Sequence, residues 1–130
     1  MDPYTVKRID EMETSFLGSF KRARAELGVT SFGISVIDLP PNNDLYPEHD
    51  HAGDGQEEVY FAVAGAGEIE VEGERHPLTP DVMVRVGPGV SRKVVTQDSP
   101  MRMIVLGGKP GGLYEPGANS VLGAPDPMAG

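Results

Sequence analysis

The chain has 130 residues and a hydrophobic share of 38%, which fits one domain with a core of its own, while 17 glycines and 12 prolines suit short strands and tight turns better than long helices. A formal net charge of −9 would repel a nucleic-acid backbone and an anionic membrane, so neither is expected as a partner. The absence of cysteine excludes disulfides, thiolate zinc sites and thiol nucleophiles.

The first 28 residues are expected to form a strand and a short helix that pack on the rest of the domain. Residues 1–10 hold charges and no apolar leader segment, so a cytoplasmic protein is expected. Tyr4 to Ile9 alternates weakly, as an edge strand would. Apolar side chains three and four positions apart indicate a helix within Glu13 to Leu27, and Gly28 follows as a stop signal.

Residues 29–106 have the pattern of short strands joined by turns rich in glycine and proline. The segments predicted as strands are Val29 to Leu39, Glu58 to Ala64, Glu68 to Glu72, Arg75 to Leu78, Val82 to Val86, Arg92 to Thr96 and Met101 to Leu106. With the N-terminal edge strand the count reaches eight, which predicts an all-β fold, either a sandwich or a closed barrel. Met83, Met101 and Met103 are expected to fill the core.

Residues 107–130 are rich in glycine and proline and show no periodicity. They are expected to form an irregular C-terminal tail that partly wraps the barrel, with its last residues disordered. No internal repeat and no linker divides the chain, so residues 1–28, 29–106 and 107–130 are interpreted as parts of one domain.

Two of the three histidines stand as His49-Asp50-His51. In a strand, residues i and i+2 point to the same face, so both imidazoles can reach one point in space. Residues 52–57 can reverse the chain, and an antiparallel hairpin would then place Glu58 beside the pair. Two imidazoles and one carboxylate form a ligand set for a divalent ion such as Fe, Mn, Ni or Zn, with open positions for substrate or water. The alternative is that the two histidines are solvated residues on a loop and that Glu58 is an ordinary residue at the end of a hydrophilic strand.

The spacing around these residues resembles that of the cupin superfamily. Six residues separate Glu58 from Gly65, as in the first cupin motif. Pro80 to Val86 leads into Gly87-Pro88-Gly89, as in the second motif. The resemblance covers roughly Val29 to Leu106, and the chain is similar to short single-domain bacterial cupins of unassigned function.

This resemblance implies a small double-stranded β-helix, a jelly-roll-like barrel, with one short N-terminal helix. It also implies that His49, His51 and Glu58 are metal ligands. Two departures stand out. The gap between His51 and Glu58 is six residues, longer than the three or four usual in the family, and Arg92 occupies the position at which the second motif places a fourth, histidine ligand.

Three further residues are candidates for ligand binding. Arginine keeps its proton and does not ligate metals, so Arg92 is either a clamp for a substrate carboxylate or an outward residue beside Lys93. Tyr60 shares the parity of Glu58 and either donates a hydrogen bond to a ligand or is a core aromatic residue. Gln56 could reach the site from the preceding loop. His76, in a different predicted strand, is expected to lie outside the site.

Two functions of different classes follow from the resemblance. The first is a cupin-type metal-dependent enzyme, of the dioxygenase, isomerase or decarboxylase type, that acts on a small polar molecule. The second is a non-catalytic module that binds or senses a small molecule and whose metal site has degenerated. The lack of a histidine at position 92 favours the second.

A homodimer is also expected, because the strand that begins at Glu58 has two apolar faces. Its lumen-facing residues are predicted to be Glu58, Tyr60, Ala62 and Ala64, and its outward residues are Val59, Phe61 and Val63. An apolar patch is rarely left in water. A second subunit is the favoured cover, and the N-terminal side chains Phe16, Leu17 and Phe20 are the alternative.

Overall fold

The computed structural model describes residues 3–128, and most of their regular structure is β-sheet. The strands are β1 (Thr14–Ser15), β2 (Phe20–Lys21), β3 (Gly33–Leu39), β4 (Glu57–Gly65), β5 (Gly67–Val71), β6 (Glu74–Leu78), β7 (Met83–Val86), β8 (Arg92–Val95) and β9 (Met101–Gly108). The helix α1 covers Ala23–Leu27, and two 3-10 turns cover Ile9–Glu11 and Ala118–Ser120. The predicted all-β class with one short N-terminal helix is confirmed.

Two antiparallel sheets enclose one core. The larger has the order β1-β2-β3-β9-β4-β7, and the smaller has the order β6-β5-β8. The core draws side chains from both sheets: Ile37, Leu39, Tyr60, Ala62, Ile69, Leu78, Val86, Val94, Met101, Met103 and Val105. We call the face of the larger sheet that meets this core its inner face, and the opposite face its outer face. None of the helices in residues 3–128 is long and apolar enough to cross a membrane.

The N-terminal helix is much shorter than predicted. Phe16 and Leu17 have positive φ angles of 52° and 57°, so they form the turn of a β1–β2 hairpin instead of a helical turn. Asp126 stabilises this turn, because its carboxylate accepts hydrogen bonds from the backbone N–H of both residues at 2.8 and 2.9 Å. The helix ends as expected at Gly28, which has a left-handed φ of 79°.

The predicted edge strand over Tyr4 to Ile9 is wrong, since these residues pair with no strand in the described part of the chain. Instead, Ile9, Met12, Ala23 and Leu27 cover part of the outer face around Val36. The alternative cover of the outer face of β4 by Phe16, Leu17 and Phe20 is also wrong, because these three line a cavity on the inner side.

A β-bulge in β4 changes which residues face outward. Ala62 is opposite Met103 and Ala64 is opposite Arg102, so Val63 is an extra residue. Ala64 therefore has outward parity, against the prediction. Met83 was expected in the core, but it lies opposite Phe61 on the outer face and is 68% exposed. Met101 and Met103 are buried, as predicted.

The last strand extends to Gly108, and an irregular tail follows from Lys109. Two arginines hold this tail to the N-terminal segment. Arg22 donates hydrogen bonds to Asn119 and to the carbonyl of Ala124, and Arg24 binds Ser120. The predicted disorder of the last residues concerns positions 129–130, which lie outside the described residues.

Candidate metal centre

The segment that carries His49 and His51 is not a regular strand. His49 forms an isolated antiparallel bridge with Arg92, with N–H···O distances of 3.0 and 2.9 Å. The N–H of His51 donates to the carbonyl of Pro88 at 2.7 Å. The segment is therefore held by the chain around β8, whereas the predicted partner was β4.

Glu58 nonetheless lies beside both histidines. Its Oε1 atom is 3.1 Å from Nε2 of His51 and 3.9 Å from Nε2 of His49. One ligand atom from each of the three side chains lies within 4.8 Å of the others, and all three side chains are partly buried. We call these residues the His-His-Glu trio.

Both imidazole rings are oriented by a partner on the other ring nitrogen. Nδ1 of His49 donates to the carbonyl oxygen of Pro47 at 2.9 Å, and Nδ1 of His51 donates to both carboxylate oxygens of Asp54 at 3.0 Å. A carbonyl or carboxylate oxygen can only accept, so the Nδ1 atoms carry the protons. This leaves Nε2 of each ring as the nitrogen on the side of Glu58, and histidines that ligate metals are held in the same way.

Asp54 was not among the predicted site residues. It lies in the loop between the histidine pair and β4, three positions after His51. A carboxylate this close along the chain to a candidate ligand is a signal that the sequence offered. Its hydrogen bond identifies Asp54 as the residue that orients the His51 ring.

His51 stands between two carboxylates, and this sets the electrostatics of the centre. The hydrogen bond with Glu58, strengthened by Asp54, raises the pKa of His51. Burial tends to raise the pKa of Glu58, but His51, Tyr60 and Arg92 together hold it below its usual value. Since Nδ1 of His51 already donates to Asp54, the 3.1 Å approach of Nε2 to Glu58 requires a second proton or a cation at this point.

Two tyrosines continue the network on the inner side. Tyr60 is fully buried and its hydroxyl donates to Oε1 of Glu58 at 2.8 Å. The hydroxyl of Tyr46 lies 3.3 Å from that of Tyr60, and it must be the donor because the Tyr60 proton is already used. Burial raises the pKa of both tyrosines, so both stay neutral. Tyr60 is thus a buried aromatic residue that also supports the carboxylate.

A family model described as a cupin domain matches residues 35–107, which is more than half of the chain. The chain belongs to the cupin family. A search of curated proteins gives no match.

Solved cupin structures share this fold. A cupin protein from Bacteroides fragilis is 23% identical, with a TM-score of 0.71 over 90% of this chain and 93% of that chain. A sugar phosphate isomerase of the cupin superfamily from Silicibacter pomeroyi is 22% identical, with a TM-score of 0.60 over 78% of this chain and 69% of that chain. The cupin domain of an XRE-family transcriptional regulator from Enterobacter cloacae is 23% identical, with a TM-score of 0.55 over 64% and 86%.

Arg92, at the position where the family resemblance places a fourth ligand, lies buried beside Glu58. The interpretation as an outward residue is wrong, because Arg92 is fully buried. Its Nη2 donates to the carbonyl of Gly87 at 3.0 Å, and its Nη1 is 3.6 Å from Oε1 of Glu58. Among the described residues, Nη1 and Nε have no hydrogen-bond partner. The guanidinium cation of Arg92 therefore stabilises the negative charge of the Glu58 carboxylate.

Gln56 lies at the site, whereas His76 lies away from it. Gln56 is buried and lines the same cavity as the trio, against Gly107. A Cβ at Gly107 would lie 2.8 Å from Oε1 of Gln56 and 3.5 Å from Cγ of Glu58, so glycine makes room for both side chains. His76 lies on β6 with an exposed side chain, apart from the trio, as expected.

Proposed function

We propose that this cupin binds one divalent metal ion, such as Fe, Mn, Ni or Zn, and binds a small molecule beside it. The ligands are Nε2 of His49, Nε2 of His51 and a carboxylate oxygen of Glu58. The observation that carries the proposal is the orientation of the rings. Both Nδ1 atoms are held by oxygen acceptors, which turns both Nε2 atoms toward the same carboxylate oxygen.

The charges near the trio also support a cation. Glu58 and Asp54 flank His51 on both sides, and a divalent ion between Nε2 and Glu58 would replace the second proton that His51 otherwise needs. Nitrogen and oxygen donors suit borderline divalent ions. Three protein ligands leave coordination positions open toward the cavity.

We favour a metal-dependent enzyme of the dioxygenase, isomerase or decarboxylase type as the activity. When bound, the ion would supply Lewis-acid character or a site for oxygen. Tyr60 fixes the Glu58 carboxylate, and Tyr46, which lines the cavity, can accept a hydrogen bond from a ligand because its own proton is donated to Tyr60. The likeness to a sugar phosphate isomerase is compatible with this class.

Gln56 and Arg92 would act on the ligand in different ways. Gln56 lines the cavity and can donate a hydrogen bond directly. Arg92 lies behind Glu58 and outside the cavity lining, so it attracts an anionic group by charge, not by contact. Arg92 is in this sense a positioning residue for Glu58.

A non-catalytic binding or sensing module is the second candidate. The fully buried Arg92, in place of a fourth imidazole, favours it, because a like charge near the site weakens cation binding. One similar structure is a cupin domain from a transcriptional regulator, which is consistent with a sensing role.

Metal analysis tests the proposal. The chain is purified without chelators or a histidine tag, and Mn, Fe, Ni and Zn are counted per chain by mass spectrometry. We expect one metal per chain in the wild type and in the control variant His76→Ala, and loss of the metal in His49→Ala and His51→Ala. Bound iron or manganese favours the enzyme. If the wild type stays empty when titrated with these ions, the result contradicts metal binding and leaves the non-catalytic binding or sensing module as the candidate function.

A further inference from the structure

The cavity beside the His-His-Glu trio has largely apolar walls. It encloses about 500 Å³, a size typical of small-molecule sites. Much of its apolar lining comes from the β1–β2 hairpin, β3 and β9: Phe16, Leu17, Phe20, Ile37, Leu39 and Val105. Ile37, Leu39 and Val105 are also buried members of the main core. Close packing fixes these side chains, so this wall of the cavity stays apolar.

Among residues 3–128, the imidazole and carboxylate groups that line the cavity are confined to one place. They belong to His49, His51, Asp54 and Glu58, which are in contact with one another. Farther along, the polar lining residues are uncharged, such as Ser35 and Asn119. A ligand that is polar over its whole length would lose its hydration against the apolar wall without compensating hydrogen bonds.

The far wall of the cavity is fixed by contacts between the two ends of the chain. The Tyr114 side chain of the tail packs on β3, where a Cβ at Gly33 would lie only 3.0 Å from its hydroxyl. Asp126 holds the backbone of Phe16 and Leu17 at the hairpin tip. The apolar wall is therefore part of the ordered fold.

We propose that the ligand is amphipathic, with an anionic oxygen head at the metal and an apolar body along Phe20, Ile37 and Val105. This inference rests on the proposed metal site and narrows its ligand class from a small polar molecule to a carboxylate with a hydrocarbon or aromatic body. The head is anionic because a divalent ion and Arg92 together outweigh the negative charges of Glu58 and Asp54.

A series of linear carboxylates tests the inference. Acetate, butyrate, hexanoate and octanoate are titrated by calorimetry into the protein, with and without one equivalent of zinc. We expect each added methylene to tighten binding by up to about threefold to fourfold until the cavity is filled. Zinc is expected to strengthen binding of every member by a similar factor, because it acts on the shared head group.

Ser35→Phe narrows the cavity from β3 and should remove most of the gain from acetate to octanoate while leaving acetate binding unchanged. Leu17→Ser, on the largely exposed hairpin tip, tests the wall without a core substitution and should weaken octanoate alone. Ser31→Phe, exposed and outside the lining, is the control. If the protein binds zinc but its affinity for carboxylates does not depend on their chain length, the amphipathic ligand is overturned and the metal site is not. If the protein binds no zinc but its affinity still rises with chain length, the metal site is overturned and the apolar binding wall is not.

Discussion

The inner and outer faces of the larger sheet are made by alternating residues of the same strands, yet they differ in what covers them. On β4, Glu58 and Tyr60 face the core and the cavity, whereas Val59 and Phe61 face outward and are only partly buried. Alternation explains why both faces are apolar. It does not say what packs on each, because the cover comes from distant parts of the chain.

The outer face is itself divided. Over β3 it is covered by the N-terminal side chains that pack around Val36. Over β4 and β7 it is open, with Val63 44% exposed and Met83 68% exposed. Exposed apolar side chains grouped on one face are typical of a surface that another molecule covers.

The largest expected effect comes from truncating a methionine on the inner face, compared with truncating one on the outer face. Met103 is fully buried on the inner face, so Met103→Ala should lower the free energy of unfolding by about 2–5 kcal/mol. Met83→Ala on the outer face should change it by no more than about 0.5 kcal/mol in dilute protein, where Met83 is exposed. Urea denaturation monitored by circular dichroism measures both. Equal losses at every protein concentration would contradict the assignment of the two faces.

The second prediction concerns the homodimer, which we propose covers the open half of the outer face. Phe61 is at the centre of this patch, opposite Met83 in the β4–β7 ladder. Phe61→Glu should therefore raise the dimer dissociation constant by about thirtyfold or more, as at an interface hot spot. Light scattering at micromolar concentration should give about twice the mass of the 13.9 kDa chain for the wild type and one chain mass for the variant. Glu74→Gln on β6 is the control. A monomeric wild type would end the proposal.

The sequence predicted that the trio lies together but did not predict how it is held. His49, His51 and Glu58 could be grouped because residue type and spacing along the chain are local information. The helix over Glu13 to Leu27 failed because the turn at Phe16 depends on Asp126, 110 positions away. The bulge at Val63 is likewise a property of pairing with β9, which no local pattern of β4 encodes.

The third prediction probes the inner face at the residue that orients His51. Asp54→Asn keeps the size of the side chain but removes its charge, so the His51 ring is less firmly held and is a weaker base. Metal affinity should fall by about 10-fold to 100-fold. Competition with a chromogenic chelator measures this loss, and Asp50→Asn, exposed in the same segment, is the matched control. If both variants bind metal like the wild type, the hydrogen bond to Asp54 has no role in ligation.

The smallest effect is a pH dependence on the outer face. Asp38 pairs with Arg102 through two hydrogen bonds of 2.7 and 3.0 Å and with Lys21 at 3.1 Å. Burial tends to raise the pKa of Asp38, but Arg102 and Lys21 outweigh it and hold the pKa below its usual value. A lowered folded-state pKa means that the folded protein binds this proton less readily than the unfolded chain. The stabilisation is therefore complete well above the unfolded-state pKa, about 3.9, and is lost as the pH falls through the folded-state value.

Asp38→Asn should lower the free energy of unfolding at pH 7 by about 1 kcal/mol or less, since a third of the side chain is exposed, and the difference from wild type should vanish in acid. Asp44→Asn, exposed in a loop, is the control, and a difference that persists unchanged to low pH would show that Asp38 acts by packing and not by charge.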